Sequence, residues 1–222
     1  MPRARSRLAR RTASTTVTGE GMVLTRARPD AVAWWARRGL GAVVVVPRGD
    51  WTLVSPAGRP KARYPYDDAV RTLAGRPVSG RMRPALGFFR VGKQAVVTLH
   101  PRRRFAATRW MIWTPRDGLV TPRGLPVARP SDVARAAGAD ELVATHLEEI
   151  VADVGATAQE VLAAVIGVLG LPGLDVLTGT TAAADVPGAR LIVPADRYAR
   201  AFDKLVRDRA DEHDRTGWDL DD

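Results

Sequence analysis

The chain has 222 residues, of which 45% are hydrophobic and 26% charged, a balance typical of a globular protein with a buried core. It contains no cysteine, which excludes disulfides, thiolate metal sites and cysteine nucleophiles. The formal net charge is +10, and no apolar run reaches the roughly 20 residues of a membrane span, so we expect a cytoplasmic protein with no membrane partner.

Charge is divided unevenly along the chain. Residues 1–20 carry five arginines against Glu20, residues 21–129 carry 21 basic and five acidic side chains, and residues 130–222 carry eight basic and 18 acidic ones. The balances are therefore +4, +16 and −10, and five of the six tryptophans lie in the basic part. A basic body attracts polyanions such as DNA or RNA, but the two parts can also pair with each other or between copies in an assembly.

The N-terminal segments predict an arm, a strand and a helix. The first 20 residues lack apolar periodicity and are rich in arginine, which predicts a flexible basic arm. The sequence "MVLTRA" that starts at Met22 is typical of a short strand. Pro29 opens a helix that runs through Arg38 and stops at Gly39.

Two adjacent tryptophans on this first helix have different expected environments. Trp35 shares a helix face with Val32, whereas Trp34 lies about 100° away. The neighbours of Trp34 on that side are Arg37 and Arg38. We therefore expect one ring in the core and the other half exposed.

Three later segments share the pattern of strand, turn, strand and proline. Glycine permits a positive φ in such turns, and proline sets the first turn position, so each segment predicts a β-hairpin. They are "AVVVVPRGDWTLVSP" (42–56), "LGFFRVGKQAVVTLHP" (86–101) and "RWMIWTPRDGLVTP" (109–122). Between the first two, "YPYDDAVRTLAG" predicts a helix capped at Asp67 and closed by Gly75.

The pattern becomes helical after the proline-rich stretch 121–132. Ser131 is expected to cap a short helix that Gly138 ends, and Asp140 to start another with a single apolar stripe. Thr157 and Glu160 match a capping box in front of the run "VLAAVIGVLG". Because this run is apolar all round, we expect its helix to form the buried centre of the C-terminal part.

A last helix is predicted from Pro194 to about His213. Its apolar face consists of Tyr198, Phe202 and Leu205. Oppositely charged side chains four residues apart cover the remaining surface, which is typical of a solvated helix lying on another element.

Together these elements predict an α+β fold. Antiparallel β-hairpins with two helices form the N-terminal part, and an acidic helical C-terminal part packs against them. We divide the chain into a basic flexible arm (1–20), a basic tryptophan-containing hairpin-rich part (21–128) and an acidic helical part (129–222). We expect a single folded unit, because the hairpins need a cover and opposite charges favour contact.

The sequence contains no recognisable catalytic motif. GxxxxGK[ST], a GxGxxG after a strand, HExxH and GxSxG are all absent. His146, Glu149 and Asp153 share a helix face, but a solvent-facing polar surface is the favoured interpretation over a metal site. Asp67 and Asp68 are interpreted as helix caps rather than catalytic carboxylates. We therefore predict no cofactor and no metal. Enzymatic activity has no positive support in these motifs, but it stays open because catalytic groups distant in sequence can meet in space.

The sequence "LHPRRRFAATRWMIW" carries the candidate binding site. Arginine matches phosphate oxygens with a planar fork, and a nearby tryptophan stacks on an unpaired base. On the strand that follows, Trp110 and Ile112 are the favoured core residues, so Arg109 and Trp113 share the other face. The predicted nucleic-acid-binding residues are Arg81, Arg83, Lys93, Arg102, Arg103, Arg104, Arg109 and Trp113. The alternative is a solubilising corner beside core tryptophans.

Two functions are favoured on the sequence alone, ahead of a third, an enzyme that would gather Asp67, Asp68 or His100 in a deep pocket. The first is a non-enzymatic protein that binds nucleic acid through this arginine-rich surface of the hairpin body. The second is a structural or assembly protein that self-associates when its basic and acidic parts pair between subunits.

Overall fold

The computed structural model describes residues 20–103 and 106–216, with side chains up to residue 212. Its centre is an eight-stranded sheet in the order β7-β6-β5-β4-β1-β3-β2-β8, in which every neighbouring pair is antiparallel. The strands are β1 (Gly21–Thr25), β2 (Val43–Arg48), β3 (Trp51–Pro56), β4 (Ala85–Val91), β5 (Gln94–His100), β6 (Arg109–Thr114), β7 (Gly118–Val120) and β8 (Arg190–Ile192). The α+β prediction is confirmed.

The three predicted hairpins are the pairs β2–β3, β4–β5 and β6–β7. Gly49 and Gly92 in the first two connections, and Gly118 at the start of β7, have positive φ values, the conformation for which glycine was expected there. β1 lies between the first two hairpins, pairing with β3 on one side and with β4 on the other. This central strand therefore joins the hairpins into one sheet.

The described residues form seven α-helices. They are α1 (Pro29–Ala36), α2 (Ala69–Ala74), α3 (Pro130–Ala137), α4 (Glu141–Ala152), α5 (Ala158–Val168), α6 (Leu174–Leu177) and α7 (Asp196–Thr216). None of the helices in the described part of the chain is long and apolar enough to span a bilayer.

Helix caps follow the sequence with two corrections. Asp140 accepts from the backbone N–H of Val143 at 3.0 Å, and Thr157 forms the expected capping box with Glu160. The cap of α2 is Asp68 rather than Asp67, because Asp68 accepts from the N–H of Arg71 at 2.8 Å. Ser131 does not cap α3, since Pro130 is already its first helical residue.

Helices pack on both faces of the sheet and give three layers. On one face, alternate strand residues such as Met22, Leu24 and Phe88 share a core with apolar residues of α3 to α6. On the other face, the intervening residues such as Val23 and Phe89 share a second core with α1 and α2. The period-two alternation of each strand thus supplies two cores, and the acidic helices α3 to α5 lie across the sheet from α1 and α2.

The expected facing of β6 is wrong. Met111 and Trp113 are the fully buried residues, in the core beneath the acidic helices, whereas Trp110 and Ile112 are only partly buried on the α1–α2 side. The indole N–H of Trp113 donates to the carbonyl of Asp153 at 3.1 Å. The helical layer covers one face of this strand more completely than the short helices cover the other.

Several C-terminal expectations also change. α5 is buried on one face only, because Ala164 and Gly167 are exposed on its other side. Leu205 of α7 is exposed, although Tyr198 and Phe202 are partly buried as expected. β8, which the sequence analysis did not predict, pairs with β2 and closes one edge of the sheet. The predicted N-terminal arm, apart from Glu20, and the last residues (217–222) lie outside the described residues.

Candidate nucleic-acid interface

The register of the β4–β5 hairpin brings distant arginines together at one end of the sheet. Ala85 pairs with His100, so the residues just before β4 meet the residues just after β5. Arg83 precedes the first strand and Arg102 follows the second, and the two line one open groove. Arg81 reaches the same groove from the short 3-10 turn Gly80–Met82.

Helix α1 forms the opposite wall of this groove through Ala31 and Trp34. The groove has a volume of about 1200 Å³, and its lining residues are Ala31, Trp34, Ser79, Gly80, Arg81, Arg83 and Arg102. We call it the arginine groove. No acidic side chain is among these lining residues, so three arginines set its electrostatic character.

Trp34 is the aromatic residue of the arginine groove. It is 52% exposed, whereas Trp35 is 6% exposed and donates its indole N–H to the carbonyl of Pro77. The guanidinium carbon of Arg38 lies 3.7 Å from the centroid of the Trp34 ring, which is a cation–π contact. The prediction that one of these two rings is in the core and the other half exposed is confirmed.

Arg83 is held in place by backbone carbonyls rather than by carboxylates. Its Nη1 donates to the carbonyls of Ala106 at 2.9 Å and Arg103 at 3.3 Å, and its Nε donates to that of Val78 at 3.4 Å. Carbonyl acceptors orient a guanidinium without neutralising it. These three contacts tie Arg83 to the loop after β5 and involve no carboxylate.

His100 lies behind the groove and is buried. Its Nδ1 lies 3.0 Å from the hydroxyl of Thr108. Burial, with a smaller contribution from the charge of Arg83, lowers the pKa of His100 to about 4. The imidazole is therefore neutral at pH 7 and adds no charge to the groove.

The structure does not bring the other predicted residues into the groove. Lys93 lies in the turn at the opposite end of the β4–β5 hairpin, about 20 Å away along strands of this length. Arg109 forms an ion pair with Asp132 of α3 at 3.1 Å. Trp113 is 1% exposed, so it is a core residue and has no face available for a base. Arg103 is exposed beside the groove, and Arg104 lies outside the described residues.

The predicted site did not include Trp34, although the sequence indicated that its ring is exposed beside arginines. The helical phase that pairs Trp35 with Val32 directs Trp34 outward beside two arginines. What the sequence could not show is that the turn before β4 and the loop after β5 lie opposite this helix.

The carboxylates and histidines that the sequence analysis considered do not form a metal cluster among the described residues. In residues 20–103 and 106–216, no group of three or more His, Asp or Glu side chains is placed to hold a metal ion. Asp67 ion-pairs with Arg59, whose hydrogen bond holds the pKa of this carboxyl below its ordinary value. No known protein family, curated protein or solved structure matches this chain.

Proposed function

We propose that this protein is a non-enzymatic nucleic-acid-binding protein that holds a single strand in the arginine groove. One observation supports this proposal most strongly. Arg81, Arg83 and Arg102 line the same groove as the exposed Trp34, and no acidic side chain is among the lining residues. Guanidinium groups bind phosphate oxygens, and a half-exposed indole ring stacks on an unpaired base. This combination favours single-stranded over double-stranded partners.

The position of the acidic residues supports the proposal. The exposed carboxylates Glu141, Glu148 and Glu149 belong to α4, which packs on the far face of the sheet from α1. Ion pairs between the basic and acidic parts, such as Arg48–Asp175 and Arg190–Asp30, use arginines outside the groove. Within the described residues, none of the ion pairs uses Arg81 or Arg102. These arginines are therefore available for phosphates.

The salt dependence of binding tests the proposal. We expect a fluorescently labelled single-stranded oligonucleotide to bind with an affinity that falls steeply between about 50 and 200 mM salt, because bound arginines release counterions from the phosphates. The double variant Arg81→Gln/Arg102→Gln should reduce the slope of log K against log salt by about 1.4. Fluorescence anisotropy measures both quantities.

The matched control is Lys93→Gln/Arg116→Gln, which removes the same charge from exposed side chains at the other end of the hairpins. It should leave the slope close to that of the wild-type protein. Equal slopes for both double variants would remove the groove from the binding site. No detectable binding by the wild-type protein at low salt would refute the proposed function.

Self-association is the second candidate, and the two differently charged faces of the molecule favour it. Contact between the arginine groove of one copy and α4 of another would join two different surfaces. Each added copy would leave one groove and one α4 free, so the assembly could grow without limit. Light scattering of the protein without nucleic acid should then show association that grows with concentration and declines with salt. A monomer under low-salt conditions would exclude this candidate and leave the first unaffected.

A further inference from the structure

A second cavity lies on the other side of α1 from the arginine groove. Its walls are the C-terminal end of α1, helix α2, the segment around Pro65 and the first turns of α7. The volume is about 620 Å³, within the range of about 300 to 1,000 Å³ that small-molecule sites occupy. Aromatic rings contribute much of the wall, namely those of Trp35, Tyr66, Tyr198 and Phe202.

Two of these rings come from distant parts of the chain and close one side of the cavity. Tyr66 and Phe202 meet edge to face, with centroids 4.8 Å apart and an interplanar angle of 88°. The start of α7 is further held by the ion pair between Lys61 and Asp196 and by Asp203, which accepts from the backbone N–H of Arg63 at 3.2 Å. The wall from α7 is therefore fixed by several independent contacts.

Arg76 introduces an unneutralised charge into this apolar cavity. Its guanidinium carbon lies 3.7 Å from the centroid of the Trp35 ring, and its Nη2 donates to the carbonyl of Trp35. None of the ion pairs among the described residues involves Arg76. Burial lowers its pKa to about 10, so the group is still charged at pH 7. A largely buried cation without a counterion is costly unless an anion accompanies it.

The rest of the lining also favours an anion. Arg38 and Arg71 stand at the cavity, and no aspartate or glutamate is among its lining residues. Arg71 has Asp68 as a partner at 3.9 Å, whereas Arg38 contacts the Trp34 ring and the hydroxyl of Tyr198. The cavity lining thus combines aromatic rings with arginine side chains.

We propose that this cavity binds a small organic anion, an aromatic carboxylate or its phosphate analogue, with the charged group on Arg76 and the ring against Tyr66 and Phe202. The site is separate from the arginine groove, because Trp34 and Trp35 are neighbours on α1 that face in different directions. The inference therefore goes beyond nucleic-acid binding and does not depend on it.

Two probes of nearly equal shape test the role of charge. Naphthoate carries a carboxylate, and naphthamide replaces it with a neutral amide of similar size. Isothermal titration calorimetry of the full chain should show naphthoate binding at least about tenfold more tightly than naphthamide, since a hydrogen bond to a charged group is stronger than one to a neutral group. Naphthyl phosphate, measured alongside, decides between a carboxylate and a phosphate as the preferred head.

Three variants separate charge from shape. Arg76→Met should abolish the preference for naphthoate, while the matched control Arg123→Met, at an exposed site outside the cavity, should retain it. Phe202→Ala removes part of the cavity wall. It should lower the affinities for naphthoate and naphthamide by the same factor, so that the ratio of the two affinities stays unchanged. This third variant keeps the test valid if Arg76→Met fails to fold.

The proposal is overturned by any of three results. These are no binding of either anionic probe to the wild-type protein, equal affinity for naphthoate and naphthamide, and unchanged affinities in Phe202→Ala. Binding of an oligonucleotide plays no part in these measurements, so failure of the proposed function would be recognised separately.

Discussion

At the scale of single residues, Trp34 stands out because a large ring is left half exposed on a short helix. Exposed aromatic rings beside cations are common features of sites that bind single-stranded nucleic acids. The contact with Arg38 holds one face of the ring and places a positive charge next to it. Under the proposed function, Trp34 would therefore provide stacking area for a base and Arg38 a positive charge for a phosphate.

Replacing Trp34 tests this role directly. We expect Trp34→Ala to weaken binding of a single-stranded oligonucleotide by about 1–3 kcal/mol, the usual contribution of one stacked base. The thermal midpoint should change little, because the ring is 52% exposed. Tyr64→Ala removes another exposed aromatic ring, outside the groove, and should leave the affinity unchanged. Equal effects of the two variants in fluorescence anisotropy would contradict a specific role for Trp34.

His100 predicts a pH dependence of stability. Its pKa falls from 6.5 in the unfolded chain to about 4 in the folded protein, chiefly through burial. Between these values the unfolded chain binds a proton that the folded protein does not, so stability is complete above pH 6.5 and declines as the pH falls. The loss at pH 4 approaches about 3 kcal/mol.

Urea unfolding at pH 7 and near pH 4 measures this loss. His100→Gln should lose less stability over the interval than the wild-type protein, because the group that titrates has been removed. His146→Gln, at an exposed histidine, should follow the wild-type curve. A pH dependence that is unaltered in His100→Gln would show that this histidine is not the source.

At the scale of elements, the approach of α6 to the sheet depends on a glycine. Gly173 precedes the helix with a φ of +96°, and a Cβ built on it would lie 2.5 Å from Cδ1 of Leu53 and 2.9 Å from Sδ of Met22. Both of these side chains are fully buried. A glycine therefore meets two demands here, a left-handed backbone and a close contact with the core.

Alanine substitutions at Gly173 and Gly170 distinguish the cost of the left-handed backbone from the cost of the close contact with the core. Gly170 has a φ of +60°, and a Cβ added to it would meet nothing within 4 Å, so Gly170→Ala should cost only about 1 kcal/mol of backbone strain. Gly173→Ala should cost about 1–3 kcal/mol more, because the buried Leu53 and Met22 must also move. Midpoints of urea unfolding compare the two variants. Equal midpoints would show that the core accommodates the methyl group without strain.

At the scale of the whole molecule, the sheet separates two differently charged layers. The arginine groove lies on the side of α1, and the exposed carboxylates of α4 lie on the other side. Residues from both parts of the chain fill the core beneath the acidic helices, and β8 pairs with β2 across the same division. The acidic part is thus joined to the basic part by packing as well as by ion pairs.

Deletion of residues 129–222 tests this dependence. We expect the remaining chain to fail to fold, because removal of α3 to α6 would expose large apolar side chains of the sheet, among them Phe88 and Trp113. Circular dichroism and sizing should show loss of cooperative unfolding and aggregation. A monomeric, cooperatively folding fragment would instead show that the hairpin-rich part is an independent domain.

Local interactions explain the elements that the sequence alone determined. Three hairpins, the caps at Asp140 and Thr157, and the outward position of Trp34 follow from turn glycines, capping side chains and helical phase, all of which act within a few residues. Contacts between distant residues decided the rest. Which face of β6 is buried depends on the helical layer that covers it, and β8 becomes a strand only because β2 offers an edge.

The candidate site divides in the same way. The sequence identified Arg81, Arg83 and Arg102 as candidates because arginine matches phosphate oxygens, but it also included Lys93, Arg109 and Trp113. Only the tertiary structure showed that Trp34 lines the same groove as the three arginines and that Trp113 is buried in the core. The physical reason is that residue type and spacing determine what a side chain can bind, whereas the packing of layers determines which side chains reach the same surface.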